Sequence, residues 1–588
     1  LLNRSGNYNE DDPYFTPIHL NDLPFSGDIH INNGCSTHGT VYNNAMMQNS
    51  YYGATLSVYD NFINNGTLRN YVSNFTLNVY DHFINNNVVD NHALDFRGDT
   101  DQEVSLASGK TFSPGYFTSF KATGKIVALT DLRFESVVIN MSGDTLLVPE
   151  NGLVHMDDGE FRNGIVRANE PTGFGSFVFH MENGAYIYGT TLWHANLTGH
   201  FLCSYNNILR GVTNNNGLME NDYYGISLDI YDHFINNGTI QNYVSDFIFR
   251  IYGNFVNNGI VENHAMYFYG SMDQLIDLLP GEAYSPSYLT SFKPSGKMVA
   301  FSDLLFQQTN IDLNNDTLLL LDDGTLALEG GYINEAVILD EDNNTGYLHI
   351  NFINDAHLSN CTVHNPELLG TVDVNTNNTF IGEILVSGTM RNDYYGYTLT
   401  IDGNIINNGV IQNDINSFTL NMNGDVTNNG VWENSYTYLN GTTDQHITCQ
   451  NSNWFTSYQF VNNNTSGTVY FDDMVGFHNC QVRIEGNTVE LPMNSTLYMH
   501  GSYLTDCNLF GTGETSVVHG EGTYYVDGPY MQNSIFENIS LSGDWGIGSG
   551  ITFNGTVINN GIMQNAYYSY TLVVNADFVN NGTIKSFI

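Results

Sequence analysis

The sequence repeats itself on two scales, and this periodicity restricts the fold more than any other property of the chain. The long period is marked by a Met-x-Asn-x-Tyr-Tyr string that begins at Met47, Met219, Met390 and Met563, with successive offsets of 172, 171 and 173. A short, 21-residue period lies inside it. Asn65-Gly66 returns as Asn86-Asn87, Asn237-Gly238 as Asn258-Gly259, Asn408-Gly409 as Asn429-Gly430, and Asn560-Gly561 as Asn581-Gly582. Alternating apolar pairs precede most of these turns: Leu56/Val58 then Leu77/Val79, Leu228/Ile230 then Phe249/Ile251, Leu399/Ile401 then Leu420/Met422. Period-two alternation marks a strand with one buried face.

A 21-residue unit of strand, turn, strand and turn cannot bury its apolar face alone, and stacking such units solves the problem. The expected fold is all-β, a parallel β-helix (β-solenoid) with 21-residue rungs. About eight rungs per long copy give ~27 in all, a long rod on the order of 130 Å. The expected organisation is one continuous solenoid. Residues 1–40 form a cap or a divergent rung, copies follow over 41–212, 213–383 and 384–556, and a partial fourth occupies 557–588. Residues 107–124 and 281–296 read as loops leaving the coil at the same height.

The turn glycines are expected at positive φ, which Gly adopts without steric conflict, with Asn87 as the residue that next best tolerates that region. A second Asn at a fixed distance (Asn70, Asn91, Asn242, Asn263, Asn413, Asn434) is expected to stack into amide ladders, so that many buried amides are satisfied. Ile588 falls inside a rung, aligned with Val72, and the expectation is that more chain, another subunit or a partner covers the core there.

Charge excludes several partners. With 61 Asp+Glu against 16 Lys+Arg the net charge is −45, which repels nucleic acid and anionic membranes. Apolar runs such as Leu318-Leu319-Leu320-Leu321 are too short to insert into a bilayer. A hydrophobic content of 41% supplies cores and argues against disorder.

Few residues suggest chemistry. The six cysteines lack CxxC spacing, which argues against a zinc site; buried thiols are the first reading and disulfides between rungs the second. His82, His92, His233 and His264 read as surface or ladder residues. Asp157-Asp158-Gly159 and Asp322-Asp323-Gly324 read as solvated turn acids, with Ca²⁺ as the alternative and the only cofactor candidate. No carboxylate pair or basic cluster stands out as a catalytic set, so no catalytic residue is assigned and the chain reads as a non-enzyme. Sequons such as Asn65-Gly66-Thr67 arise from the turn itself. Tyr51, Tyr223, Tyr394 and Tyr567 each begin a Tyr-Tyr pair, of which one member should face outward; ordinary rung packing is the first reading and a glycan-stacking or lateral-packing platform the second.

The β-rich coil with Asn turns resembles the right-handed parallel β-helix of pectate-lyase-like and pertactin-like proteins, and right-handedness is implied by that resemblance. The Asn-Asn-Gly-Thr-Ile and Gly-Val-Ile-Gln-Asn strings over residues 41–588 resemble secreted, adhesin-like surface proteins of Bacteroidota, which often use type IX secretion. The resemblance implies an extracellular structural or adhesive rod whose partners are other cell-surface proteins, glycans or itself. A polysaccharide-binding or polysaccharide-degrading β-helix and a subunit of an end-to-end filament stand as alternatives.

Overall fold

A turn of the coil contains three short strands, two of which merge into one in places, as in Leu132–Asn140 and Thr398–Asn407. Met46–Asn49, Thr55–Val58 and Phe62–Asn64 make one turn; Thr67–Arg69, Thr76–Val79 and Phe83–Asn85 lie on it, each paired in parallel with the strand one short period before it. The third strand is the segment after Asn-Asn-Gly, such as Thr67–Arg69, which a two-strand unit overlooks because it places only one residue, Leu68, in the core. The computed structural model describes residues 2–3, 14–15, 19–32, 34–341, 346–392, 394–415, 417–450, 453–484, 488–522, 528–565, 570–575 and 577–586. Among them there is no helix, hence none long and apolar enough to cross a membrane. Contacts divide the chain into two units, 1–296 and 297–588. Each is a parallel β-solenoid; in the second, Thr398–Asn407 carries Thr419–Met422 and Val426–Asn428 in the same 21-residue register.

The expected alternation is what fills the interior. Leu56, Val58, Leu77 and Val79 are buried, with Ser57 and Asn78 on the outer face. Parallel register puts like over like, so the core contains columns of one residue type. Phe62, Phe83, Phe112 and Phe134 form one, with ring centroids 5.6, 5.9 and 5.6 Å apart. In the second unit Trp432, Phe455 and Phe477 form another, at 5.2 and 5.6 Å. Residues 19–32 and 34–40 also lie in rungs: His19–Ser26 pairs with Cys35–Asn43, with a register shift after Asn21, and Asp28–Ile31 pairs with Met46–Asn49.

The turn glycines are required for a different reason from the expected one. Gly66, Gly238, Gly259, Gly409, Gly430 and Gly582 all lie outside the positive-φ region. Their missing Cβ would instead point along the stacking direction, 2.0 to 2.2 Å from a carbonyl oxygen of the turn below. Asn87 is not left-handed either. Its side chain coincides with a wider turn: Val88 N donates to Gly66 O at 3.3 Å, against 2.9 Å for Ile260 N to Gly238 O and Val431 N to Gly409 O.

The amide ladders run through the Asn-Asn pair itself. The inner Asn is buried: Asn43 Nδ2 donates to Asn64 Oδ1 and Asn64 to Asn85, both at 2.8 Å. Asn215, Asn236 and Asn257 repeat this, as do Asn407 and Asn428. The outer Asn makes a second, exposed ladder: Asn65 to Asn44, Asn86 to Asn65, Asn237 to Asn216, Asn258 to Asn237, Asn429 to Asn408 and Asn581 to Asn560, at 2.7 to 3.1 Å. The later Asn positions do not ladder amide to amide. Asn70 Oδ1 accepts Phe75 N and His92 N, Asn242 accepts Phe247 N, and Asn91 Nδ2 donates to Phe75 O and Ala93 O. Those side chains brace turns.

Residues 107–124 and 281–296 do not leave the coil. Phe112 and Phe117 are buried, Tyr116–Ser119 pairs with Ala93–Phe96, and Tyr288–Ser291 pairs with Ala265–Phe268. Each segment ends in a lysine tucked inward. Lys121 Nζ donates to Gly98 O, Thr100 O and Gln102 Oε1 at 2.8, 2.6 and 2.9 Å. Lys293 Nζ donates to Gly270 O, Met272 O and Gln274 Oε1 at 2.9, 2.8 and 2.8 Å. Three ammonium protons thus meet three acceptors. In the third copy Asn464 Nδ2 serves the same cage, donating to Thr443 O at 2.7 Å and Gln445 Oε1 at 3.1 Å.

Candidate functional site

The Met-x-Asn-x-Tyr-Tyr string encodes a braced, exposed turn. Strands Met46–Asn49, Leu218–Asn221 and Thr389–Asn392 carry it. Met47, Met219 and Met390 fill the core, and Asn49, Asn221 and Asn392 are buried just beyond them. Each Asn clamps two successive turns. Asn49 Nδ2 donates to Tyr51 O at 2.9 Å and Ser73 O at 3.3 Å, and its Oδ1 accepts Tyr71 N and Val72 N at 3.0 and 3.2 Å. Asn221 repeats the set with Tyr223 O, Ser245 O, Tyr243 N and Val244 N. Asn392 does so with Tyr394 O, Ile415 O and Asp414 N. Gly53, Gly225 and Gly396 close the turns at φ +72, +70 and +81, where a left-handed residue is required.

Both tyrosines of each pair face solvent, correcting the expectation of one. The pairs lie in turns, where strand alternation does not apply. Tyr51, Tyr52, Tyr223, Tyr224, Tyr394 and Tyr395 are 61 to 71% exposed. Tyr567 and Tyr568 lie outside the described residues, as does Ile588. The turn above adds exposed Tyr71, Tyr243 and Ile415. Each of the three copies therefore offers a small aromatic platform with a braced backbone beneath it.

A second aromatic feature is visible only in three dimensions. His38, Tyr59 and Tyr80 stack at 4.6 and 4.5 Å; Tyr231, Tyr252, Tyr269 and Phe292 stack at 4.6, 5.4 and 5.3 Å, with the Arg210 guanidinium 4.4 Å from the Tyr231 ring. These rings cover one another's faces, whereas the turn tyrosines stand exposed, with Tyr223 and Tyr394 tilted against Tyr205 and Tyr397 at 6.0 Å. The 21-residue spacing of Tyr59/Tyr80 and Tyr231/Tyr252 was the sequence signal for these columns.

The other sequence candidates remain apart. Asp157 and Asp158 lie inside strand Leu153–Arg162 and not in a turn, contrary to the expectation; Asp158 and Asp323 sit at left-handed φ of 60 and 54°. Asp158 accepts Gly159 N at 2.8 Å and Ser136 Oγ at 3.2 Å, and Asp157 accepts Asn183 Nδ2 at 2.6 Å. Asp322 and Asp323 lie in the turn between Thr317–Leu320 and Thr325–Asn334. Among the described residues, the one trio of metal-ligating side chains close enough for a common ion contains none of these four acids. His82 Nδ1 accepts Glu103 N, and His233 meets Asn254 of the next rung at 2.9 Å. All six cysteines are buried thiols and none is in a disulfide. Burial pushes the Cys361 thiol up to about 11 and Cys449 up to about 12, and raises Cys203, Cys480 and Cys507 further.

No known protein family, curated protein or solved structure matches the chain.

Proposed function

We propose that the chain is an extracellular, non-catalytic structural or adhesive surface protein, of the adhesin-like kind that its Asn-Asn-Gly repeats resemble, whose tyrosine turns bind glycans. The observation that carries this reading is the braced turn: a buried Asn in each of three copies holds two solvent-exposed tyrosines. Flat aromatic faces ringed by amides and hydroxyls suit the apolar face and hydroxyl edge of a sugar. The net charge of −45 directs the choice toward neutral rather than anionic polysaccharides. Copies one and two place their platforms about eight rungs apart, on the order of 38 Å, so a long polymer engages both at once and gains avidity.

Affinity electrophoresis of the full chain through gels containing neutral or anionic polysaccharides tests this. Retardation by a neutral polymer, weakened several-fold by Tyr223→Ala with Tyr224→Ala, is the expected result. No retardation by any neutral polymer sinks the adhesive reading, and release of reducing ends sinks the non-catalytic one.

A further inference from the structure

We infer that His155, His180 and Glu182 form a binding site for a first-row divalent transition metal of the Zn²⁺ class, linking two adjacent rungs of the first unit. The inference is independent of the tyrosine turns. Strand Leu153–Arg162 presents His155 outward, and Phe177–Glu182 stacks on it in parallel with His180 directly over His155 and Glu182 over Asp157. His180 and Glu182, alternate positions of one strand, share that outer face.

The three side chains already converge. His155 Nε2 lies 2.7 Å from Glu182 Oε1, and His180 Nε2 lies 3.9 Å from Glu182 Oε2. One donor atom from each residue falls within 4.8 Å of the others. Zinc bonds of about 2.0–2.2 Å place three ligand atoms about 3.3 Å apart. Side-chain rotations alone close that gap, because the three are 18, 33 and 43% exposed rather than locked in a core. Two imidazoles and a carboxylate select a borderline metal over Ca²⁺ or Mg²⁺, which take oxygen ligands.

The surroundings favour one ligand and oppose another. His180 Nδ1 is 2.9 Å from Thr198 Oγ1; an Nδ1–H donated there leaves the Nε2 lone pair directed at the site, the usual second-sphere arrangement of a metal histidine. Arg133 acts in the opposite sense. Its guanidinium donates to His155 Nδ1 at 3.1 Å, which places the ring proton on Nε2, toward Glu182. Metal binding moves that proton to Nδ1 and displaces Arg133, so Arg133 competes with the ion.

The coil does not need imidazoles here. In the second copy the corresponding in-register columns read Leu305, Ala327, Asn351 and Gln307, Glu329, Ile353. The third copy again places histidines on this face, with Tyr498 under His519 and His500 under Glu521, and His519 Nδ1 lies 2.9 Å from Ser542 Oγ.

The test is titration of the metal-free full chain with Zn²⁺ by calorimetry and with Co²⁺ by visible absorption. We expect one site with the visible bands of histidine-ligated Co²⁺, weakened at least tenfold by His180→Ala or Glu182→Gln, tightened several-fold by Arg133→Ser, and unchanged by His519→Ala. Glu182→Gln is isosteric and outward-facing, so it reports even if His180→Ala misfolds. Wild-type affinity in Glu182→Gln, loss of the site in His519→Ala, or Co²⁺ bound without visible bands overturns the assignment.

Discussion

Asn64 and Asn65, neighbours in sequence, hydrogen-bond in opposite directions along the stack: Asn64 donates forward to Asn85, and Asn65 donates backward to Asn44. The backbone sets the inner polarity. In equivalent turns the side-chain oxygens of Asn215, Asn257 and Asn407 accept the backbone N–H of Gly217, Gly259 and Gly409, which leaves the amide NH₂ free to point at the next rung. Two side-by-side ladders with opposed dipoles avoid the field that a single aligned column would build.

The two ladders differ in energetic weight. Asn236 is buried and donates to Asn257 Oδ1, Gly238 O and Ile260 O, whereas Asn237 is exposed. Asn236→Ala should destabilise its rungs by about 2–3 kcal/mol, because buried partners lose their bonds. Asn237→Ala should cost under about 1 kcal/mol, because water replaces what its partners lose. Local hydrogen exchange around residues 215–260 reads both, and equal effects would contradict the distinction.

Gly238→Ala places a Cβ 2.1 Å from Gly217 O, so the turn must open as it does at Asn87. A loss of about 2 kcal/mol or more is expected from such strain. Gly53→Ala meets nothing within 4 Å but sits at φ +72, and a loss of about 1 kcal/mol is expected from the left-handed backbone alone. Denaturant melts that rank the two the other way would overturn the close-approach account.

Lys293→Met should strip a hydrogen bond from the Gly270 and Met272 carbonyls and one of the two that Gln274 Oε1 accepts, at about 1–3 kcal/mol for a buried group left bare. Lys293→Asn should recover part of the loss, because Asn464 already serves the equivalent cage. If Met and Asn variants melt alike, the cage does not hold the segment.

Glu170 gives a signed pH dependence. Its carboxylate accepts the Thr172 hydroxyl at 2.6 Å, Thr172 N at 2.8 Å, and Phe174 N and Gly175 N at 3.1 Å, which hold its pKa at about 2 against an ordinary 4.5. A depressed carboxylate stabilises the turn fully above pH 4.5, and that contribution is lost as pH falls toward 2. Amide exchange at Thr172, Phe174 and Gly175 should accelerate over that window relative to Glu170→Gln, in which the carboxylate no longer titrates. A midpoint near 4.5 would contradict it.

The cysteines supply a simple control. Buried thiols outside disulfides, with raised pKa values, should not react with a thiol reagent in the native protein and should all react after denaturation. Fast native labelling at any of them would show that its rung opens.

Strand positions were legible from the sequence because burial imposes period two and stacking imposes period 21, and both survive in Leu56/Val58 over Leu77/Val79. What stayed hidden depends on direction. Whether Gly66 serves φ or close approach, and whether Asn64 or Asn70 ladders, turns on where a bond vector points relative to the stacking axis. Spacing carries no such information. The tyrosine turns were found by their repeat but misjudged, since alternation assumes a strand where the buried Asn49 makes a turn. The His155, His180 and Glu182 group was missed because it occurs in one copy, and the rung that carries it from His155 to His180 is longer than the 21-residue period.

The 21-residue registry of the regular turns also governs how such a chain changes in length. Excising residues 66–86 would join Asn65 to Asn87, and Asn64 would take the place of Asn85, still accepting from Asn43 as before. Excising one residue would reverse the inside and outside of every strand up to the next turn. Length is therefore quantised: each unit can grow or shrink by whole turns at constant cross-section, and the separation between the two tyrosine platforms of the first unit is adjustable in steps of ~4.8 Å.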